Sequence, residues 1–435
     1  AMVSSRYRRP HGKRATRGRS PIPAERLARA ATGWLPAETQ VRQFLVVSFI
    51  DALGTGLFLA GSALFFTRDL GLSTGQVGLG LSLAGMTGFL SSVPVGRISD
   101  RIGALPVLVI LQLWRAACFF AYPFATSLGL FIVVSCLAGA GEWAAGPVVQ
   151  SLLGSLVPEA SRVRTMSALT MVRNVGFGVG AGAAAAAVAA SGAVYRGLVL
   201  ADAVSFLFSA VLLARMKAPQ RPGAESRSRA PGQQVRPGAR YLTLAALNGV
   251  LYLHTVVLSV GLPLWIATRT HGPRALIGVI VIVNTILAAA GQLRLSRGVD
   301  SAGPAASRQF RAGCVLAACC LLVAVTGPGH PGMTVAVILA ATAALTVGEI
   351  YQSIGGWGVS YGFAPEQSRG YYLSVYSLGS TCAAIVGPLL LTSAVLPAGG
   401  PGWIGLAGLF AVSGALVPAV VRSGLRRAAG AEPGE

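Results

Sequence analysis

The sequence predicts an all-α membrane protein in which twelve transmembrane helices form two parallel, pseudo-symmetric six-helix bundles. This fold class follows from the apolar composition, from the number of long apolar segments, and from a repeat between the two halves. Of 435 residues, 53% are hydrophobic and only 11% are charged, and the mean hydropathy is +0.65. Since a soluble domain carries about 25% charged residues, this composition indicates a chain that folds in lipid.

Twelve apolar segments supply the helices, because a helix needs roughly 20 apolar residues to cross a bilayer. The predicted spans are 43–66, 76–96, 105–125, 129–157, 165–190, 197–214, 241–267, 275–293, 309–327, 333–358, 371–396 and 402–421. We predict a basic, disordered tail at 1–42, a six-helix bundle at 43–214, a flexible linker at 215–240, a second bundle at 241–421 and a tail at 422–435. The linker is assigned by its Pro, Gly, Ser and Arg content, which is typical of a flexible segment.

The basic residues are distributed unevenly around these spans. With the N-terminus inside, and with Arg311 at the edge of its span counted as cytoplasmic, 29 of the 35 Lys and Arg residues lie on the cytoplasmic side, 4 lie outside and 2 lie within spans. This asymmetry follows the positive-inside rule and predicts a multi-pass plasma-membrane protein with both termini in the cytoplasm. The net charge of +21 is then explained by topology and by attraction to anionic membrane lipid. Because no nucleic-acid-binding motif accompanies the basic residues, we expect no nucleic-acid partner.

Two spaced motifs recur between the halves of the chain. Gly-Glu, followed sixteen residues after the Glu by Pro-Glu-x-Ser-Arg, occurs at 141–162 and again at 348–369, at an offset of 207. Arg-x-x-Asp occurs at 97–100 and at 297–300, at an offset of 200. A repeat in the same orientation after an even number of spans predicts two parallel bundles with a transport site between them.

The segment 94–103 (Pro-Val-Gly-Arg-Ile-Ser-Asp-Arg-Ile-Gly) resembles the signature of the major facilitator superfamily, and the resemblance extends over about residues 43–421. Apolar residues at 104–106 stand where the signature usually has a basic pair. The Glu/Arg pairs of the repeated motif resemble the family's charge network at its cytoplasmic loops. The resemblance implies that the following residues control the change between conformations: Gly96, Asp100, Arg101, Gly103, Arg297, Asp300, Glu159, Arg162, Glu366 and Arg369.

The resemblance does not identify a substrate. Drug–proton antiporters of this family usually have an Arg before a Gly-rich turn in span four and a Gly-Pro signature in span five. Residues 135–139 contain no Arg, and the glycines at 176–182 have no Pro among them. The start of span six, 201–206, looks instead like the span six of macrolide- and siderophore-exporting members.

Charged residues within the spans are the candidate site residues, because a charge at the bilayer centre costs at least about 2.5–3.5 kcal/mol. The intramembrane charges and the intramembrane histidine are Asp51, Glu142, Asp202, Glu349, Arg115, Arg173 and His254. In the family, spans one, four, seven and ten line the central cavity, and Asp51, Glu142, His254 and Glu349 each fall on one of them. Four carboxylates exceed two arginines, so we expect some to be protonated or to exchange protons, as loss of water favours the neutral acid. The alternative for each is a structural ion pair.

Aromatic and amide side chains beside the two glutamates are candidates for shaping a substrate pocket. Trp143 follows Glu142, and Tyr351 and Gln352 follow Glu349. An apolar cavity with a few polar groups accommodates amphipathic organic molecules. Packing between helices is the alternative role for the two aromatic residues.

The sequence therefore predicts a secondary transporter, and proton-coupled export of small hydrophobic or amphipathic compounds by alternating access is the preferred function. The expected partners are a small-molecule substrate, protons and membrane lipid, and we expect a monomer without cofactor or metal. No Walker motif and no catalytic constellation are present, which argues against direct use of ATP and against an enzyme. The alternatives are uptake or facilitated transport of a polar metabolite, or a non-transporting membrane receptor or scaffold.

Overall fold

The computed structural model describes residues 38–190, 194–217, 236–327 and 331–429. The predictions for residues 1–37, for the linker at 218–235 and for the last six residues, 430–435, fall outside these ranges. Within the described residues, regular structure is helical, and twelve helices are long and apolar enough to cross a membrane. The predicted fold class and the twelve predicted spans are thus confirmed.

The twelve spans are numbered α1 to α12 in chain order. Their helical bounds are α1 Thr39–Leu64, α2 Thr74–Ile102, α3 Ala104–Ala121, α4 Leu128–Leu156, α5 Arg162–Ala190, α6 Tyr195–Ala214, α7 Ala239–Arg269, α8 Leu276–Leu295, α9 Ala302–Ala324, α10 Pro331–Gly362, α11 Arg369–Leu390 and α12 Gly400–Ala429. The ninth helix begins seven residues before its predicted start at 309.

Wide π-helical turns occur in three of these helices. α1 continues into such a turn at Phe65–Asp69, α7 contains one at Val257–Gly261, and α11 continues into one at Leu391–Val395. In α7 and α11 the turn is followed by Pro263 and Pro397, which have no backbone N–H to complete the regular ladder. The local sequence therefore accounts for these two irregular turns.

Capping residues set the ends of α2. The Ser73 hydroxyl accepts a hydrogen bond from the backbone N–H of Gln76 at 3.2 Å, and the Gln76 side chain accepts one from the Ser73 N–H at 2.9 Å. At the other end, Gly103 has φ of +105°, a backbone conformation that disfavours a Cβ. One glycine thus joins α2 to α3, which explains why the signature segment ends in Gly.

Helices α1–α6 pack as one bundle and α7–α12 as a second. In the first, α1 packs on α5 and α6, while α2 packs on α4; in the second, α9 packs on α10 and α12. Glycines allow close approach: an added Cβ at Gly180 of α5 would lie 2.0 Å from the Leu53 carbonyl oxygen of α1. The same holds for Gly379 of α11 against the Ala245 carbonyl oxygen of α7, also at 2.0 Å.

The two bundles meet through α2 and α11, α5 and α8, and α4 and α11. Polar contacts between them concentrate at the end of the molecule where α1 begins and α12 ends. There, Gly96 of α2 lies against Ser374 and the Gly370 carbonyl oxygen of α11, and an added Cβ would be 2.2 Å from the Ser374 hydroxyl. We call this inter-bundle contact region the gate.

Candidate functional site

Arg115 of α3 lies at the centre of a buried ionic group in the first bundle. Its Nη1 donates to Asp51 Oδ1 of α1 at 2.9 Å, and its Nη2 lies 2.5 Å from Glu142 Oε2 of α4. Arg173 of α5 pairs with the second Asp51 oxygen at 3.2 Å. The Gln112 amide donates to Asp51 Oδ1 at 2.9 Å and accepts from Arg115 at 2.8 Å. We call these five residues the Arg115 cluster.

The local sequence positions this cluster. Gln112 and Arg115 are three residues apart, so they share one face of α3. Gly141 lets α4 approach that face, because an added Cβ would lie 3.2 Å from Arg115 Cγ. The Arg115 guanidinium also lies 3.9 Å from the ring centroid of Phe206 on α6, a cation–π contact. Four helices therefore hold one arginine side chain in place.

The cluster has a buried interior and two exposed ends. The Asp51 and Arg115 side chains are only 4% and 3% exposed, whereas those of Glu142 and Arg173 are 45% and 40% exposed. A pocket lined by Ser48, Asp51, Gln112, Arg115 and Arg173 adjoins the buried pair. Arg115 thus connects a buried carboxylate with one that is partly exposed.

Asp202 of α6 lies beside the cluster and is fully buried. Its Oδ1 accepts a hydrogen bond from the Ser205 hydroxyl at 3.3 Å. The charged groups that act on it electrostatically include Arg115, Glu142 and Asp51. The structure therefore brings together all five charged residues that were predicted as site residues in the first half.

In the second bundle, Glu349 of α10 has a neutral environment. Its Oε2 accepts a hydrogen bond from the Asn284 amide of α8 at 2.8 Å, and the same amide donates to Thr346 at 3.0 Å. His254 of α7 is buried, with its Nδ1 at 2.9 Å from the Leu251 carbonyl oxygen, and it lies within electrostatic reach of Glu349. Asn284 was not predicted as a site residue. The feature that could have identified it is a single amide side chain inside an otherwise apolar span.

Three amide side chains form a second polar group in this bundle. The Asn248 side-chain oxygen accepts from both Gln352 at 2.8 Å and Gln309 at 2.9 Å. All three side chains are buried, and they join α7, α9 and α10. Gln352 was predicted to line a site. Gln309 was not predicted as a site residue, because it was the first residue of its predicted span and so was expected near the membrane surface.

The two aromatic candidates pack within their own bundles. Trp143 lies against Gly88 of α2, where an added Cβ would be 2.4 Å from the indole ring. Tyr351 lies under the Arg308 guanidinium of α9, 5.5 Å from the ring centroid. Both contacts are of the kind expected for helix packing.

At the gate, Asp100 of α2 binds the start of α11. Its two oxygens accept hydrogen bonds from the backbone N–H groups of Gly370 at 2.7 Å and Tyr371 at 2.8 Å. Unpaired N–H groups and the positive end of the helix dipole both favour an anion at a helix N-terminus. Arg97 lies 4.6 Å from the centroid of the Tyr371 ring and adds a second contact between the bundles.

Arginine side chains complete the gate on α4. Arg162 Nε and Arg369 Nη1 each donate to the Gly154 carbonyl oxygen at 3.1 Å. Arg369 also pairs with Glu366 at 3.2 Å, while Glu159 lies 4.0 Å from Arg162. These contacts link α4 of the first bundle to α11 of the second.

The repeat of the signature motif behaves differently. Asp300 is exposed and, within the described part of the chain, makes no hydrogen bond or ion pair. It lines a pocket together with Glu159, Arg162 and Tyr361. The Arg297 carbonyl oxygen accepts from Arg308 at 3.1 Å, within the second bundle. The gate is therefore asymmetric, with one of its two signature aspartates engaged.

Comparison with known sequences gives one family over most of the chain. The model of the Major Facilitator Superfamily matches residues 44–388. Multidrug resistance protein MdtH of Aeromonas hydrophila is 33% identical over 137 residues, as is MdtH of Aeromonas salmonicida. The matched segment is 31% of this chain and 34% of each relative, so the chain spans about a third of these curated relatives.

Solved structures share the fold at low sequence identity. The fucose:proton symporter FucP of E. coli has a TM-score of 0.67 at 17% identity, covering 87% of this chain and 98% of that one. A bacterial homologue of the iron transporter ferroportin, in an outward-facing state, has a TM-score of 0.69 at 17% identity, covering 88% and 98%. The human organic anion transporter MFSD10 has a TM-score of 0.62 at 17% identity, covering 88% and 100%.

Proposed function

The chain belongs to the major facilitator superfamily, and on that premise we propose that it exports small hydrophobic or amphipathic organic compounds in exchange for protons. As a member of this family it is a membrane transporter rather than an enzyme. The observation that carries the proposal is the bridge that Arg115 makes between buried Asp51 and accessible Glu142. The direction of transport, the coupling to protons and a monomeric state are all parts of this proposal.

The Arg115 bridge supports proton coupling because a proton on Glu142 would remove one of its ion pairs. Glu142 is 45% exposed, and because a charge facing lipid is costly we place this exposed part in a water-filled space between the bundles. Its charge-assisted contact with Arg115 depends on the ionised form. If that contact is lost, Arg115 no longer binds α4, while its contacts with Asp51 of α1 and Phe206 of α6 remain. Loss of the Glu142 charge is thereby linked to the packing of the helices that Arg115 holds.

The substrate class is supported by the site and by the curated relatives. Glu142 and Glu349 occupy equivalent positions on α4 and α10, two helices whose composition is otherwise mostly apolar. The matched relatives are named multidrug resistance proteins, and the match covers a third of their length. These observations favour amphipathic organic compounds, which enter the space between the bundles.

A second candidate function is proton-driven uptake of a polar metabolite. The buried amides of Asn248, Gln309 and Gln352 favour it, because neutral donors and acceptors suit hydroxyl-rich solutes. Structural relatives include a fucose:proton symporter and a xylose:proton symporter. The same transport assay separates this candidate from export of amphipathic compounds.

We further propose that the gate faces the cytoplasm. The excess of basic residues places both termini and the 215–240 linker inside the cell, and the gate lies at the end where the described termini lie. The contacts of Asp100, Arg162 and Arg369 would then close the cytoplasmic side, which corresponds to an outward-facing state of a plasma-membrane protein.

The decisive experiment is flux into liposomes with an imposed pH gradient, using a lipophilic fluorescent dye and a radiolabelled hexose in parallel. We expect wild-type protein to concentrate the dye against its gradient and to lose this ability when an ionophore collapses the pH gradient. Glu142→Gln is expected to reduce accumulation about tenfold or more and to retain downhill exchange. Accumulation of the hexose instead of the dye would establish the second candidate, and flux insensitive to pH would contradict both.

The proposed orientation is tested separately by cysteine labelling. In a background without the six native cysteines, a single Cys placed at 222–236 is expected to resist an impermeant thiol reagent in intact cells and to react after lysis. A Cys at position 271, between α7 and α8, is expected to react in intact cells. Labelling of the linker cysteine from outside would contradict the proposed orientation.

A further inference from the structure

Asp202 is enclosed on all sides by its own bundle. The residue is fully buried on α6, and an added Cβ at Gly54 of α1 would lie 2.6 Å from its Oδ1. The Ser205 hydroxyl, one turn later, donates to the Asp202 backbone carbonyl oxygen at 2.8 Å. The same hydroxyl lies 3.3 Å from Asp202 Oδ1, which is its second acceptor. Within the described residues, Oδ2 is buried and has no hydrogen-bond partner.

Arg115 lies within electrostatic reach of Asp202 and has an unpaired donor of its own. The two terminal nitrogens of Arg115 bind Asp51 and Glu142, but its Nε is buried and has no partner among the described residues. The guanidinium lies 3.9 Å from the ring centroid of Phe206, one helical turn from Asp202. A donor and an acceptor that are both unsatisfied therefore occur in one buried region, where each lost hydrogen bond is costly.

The charges of this region leave one carboxylate without a cation. Two arginines, Arg115 and Arg173, pair with two carboxylates, Asp51 and Glu142. Asp202 is the third carboxylate. An ionised carboxylate that is buried and unpaired costs several kcal/mol, and a protonated one avoids this cost.

Building on the proposed function, we infer that Asp202 is the proton-binding residue of the transporter and that Arg115 exchanges partners when the proton leaves. In the described state Asp202 is the neutral acid and Glu142 is ionised. When the O–H bond of Asp202 breaks and one forms on Glu142, Arg115 releases Glu142 and pairs with Asp202. The total charge of the group is unchanged, and Arg115 stays protonated throughout.

This assignment gives the accessible and buried carboxylates different roles. In this scheme Glu142, the partly exposed carboxylate, passes the proton between Asp202 and the water-filled space proposed between the bundles. Asp202 stores the proton out of contact with solvent. The charged groups that face Asp202 from neighbouring helices, Asp51, Arg115 and Glu142, set how tightly it holds the proton. The alternative is a permanently neutral, structural Asp202.

The inference is tested by infrared spectroscopy of purified protein in liposomes, following the carbonyl stretch of protonated carboxyl groups during a pH titration. We expect a wild-type band that disappears at alkaline pH and is absent in Asp202→Asn. Glu349→Gln and Ser209→Ala, the second being a control on the same helix, should keep it. Ser205→Ala should shift the frequency of the Asp202 band, because the hydroxyl that bonds Asp202 is removed. This variant tests the assignment of the band if Asp202→Asn does not fold.

Spin labels across the gate provide a second readout that needs no substrate. With Cys at positions 164 and 307 in the background without native cysteines, we expect the inter-label distance distribution to change with pH in wild type and to stay constant in Asp202→Asn. A band that persists at all pH values, or one unaffected by Asp202→Asn, would overturn the inference. If the band titrates as expected but wild-type flux ignores the pH gradient, then the proposed export mechanism fails while the proton site stands.

Discussion

The two bundles contain the same glutamate in different surroundings. Glu142 and Glu349 are related by the offset of 207 residues and lie at equivalent points of α4 and α10. Glu142 is ion-paired with Arg115, whereas Glu349 accepts a hydrogen bond from the neutral amide of Asn284. The repeat has therefore retained the carboxylate and changed its partner.

The helices around these glutamates differ in the same sense. At an offset of 200, Leu251 of α7 takes the place of Asp51. Gly141 faces Arg115 on α3, while its equivalent Gly348 faces Leu316 on α9. Both leucines belong to the apolar core of the second bundle. One fold thus accommodates either an ionic or an apolar centre, which supports the proposal that the Arg115 cluster serves transport rather than stability.

The largest expected effect comes from Arg115→Leu, which copies the second bundle at one position only. It leaves Asp51 and Glu142 without their shared cation, so we expect a loss of about 3–5 kcal/mol in the free energy of unfolding. Gradient-driven transport should disappear. Equilibrium unfolding in mixed detergent micelles and flux into liposomes measure the two effects.

The double variant Asp51→Leu/Arg115→Leu sharpens this test, since it reproduces the Leu251/Leu316 pair. We expect it to recover most of the lost stability and none of the transport, because an apolar replacement of a buried ion pair is often neutral or stabilising. A double variant as unstable as Arg115→Leu would mean that the first bundle needs its ionic centre to fold.

A smaller effect is expected from substituting the two glutamates separately. Glu142→Gln removes the accessible charge that binds Arg115, so we expect flux driven by the pH gradient to fall about tenfold or more, which corresponds to about 1.4 kcal/mol or more. Glu349→Gln keeps an acceptor for Asn284, so gradient-driven flux should fall less and apparent substrate affinity should change several-fold. If both variants lose coupling equally, then Glu142 and Glu349 have the same role, as their equivalent positions in the repeat suggest.

The smallest expected effects concern the gate. Asp100→Asn removes the charge that accepts from Gly370 and Tyr371, and we expect it to cost about 1–3 kcal/mol of gate closure. Turnover should fall while equilibrium substrate binding stays within a few-fold. Asp300→Asn is the matched control and should alter turnover little, because Asp300 is exposed and unpaired within the described residues. Loss of binding in Asp100→Asn would place this residue in the substrate site.

The fold could be predicted from sequence because lipid restricts a spanning chain to apolar helices. The ninth span was predicted to start at 309, directly after Arg308, whereas the helix starts at Ala302 and includes Arg308. Long basic side chains can extend to the membrane surface from a helix end, so an arginine there does not end the helix. Ala305, Ala306 and Gln309 lie in the first turns of this helix, and their side chains are buried.

The site could be predicted only in part. The energetic cost of charge in lipid identified Asp51, Arg115 and Glu142, but their pairing depends on the phase and packing of separate helices. Neutral amides such as Gln112 and Asn284 gave little signal, since an uncharged side chain in a span is less costly than a charged one. Which buried groups interact therefore emerged from the three-dimensional arrangement.

The strongest polar contacts at the gate join side chains of one bundle to main-chain atoms of the other. Asp100 accepts from backbone N–H groups at Gly370 and Tyr371, and Arg369 donates to the Gly154 carbonyl oxygen. An added Cβ at Gly370 would lie 2.6 Å from the Gly96 carbonyl oxygen. In a genetic screen, a charge reversal at Asp100 could therefore not be rescued by a compensating charge across the gate. Analyses of correlated substitution would likewise find small residues there in place of exchanged charge pairs.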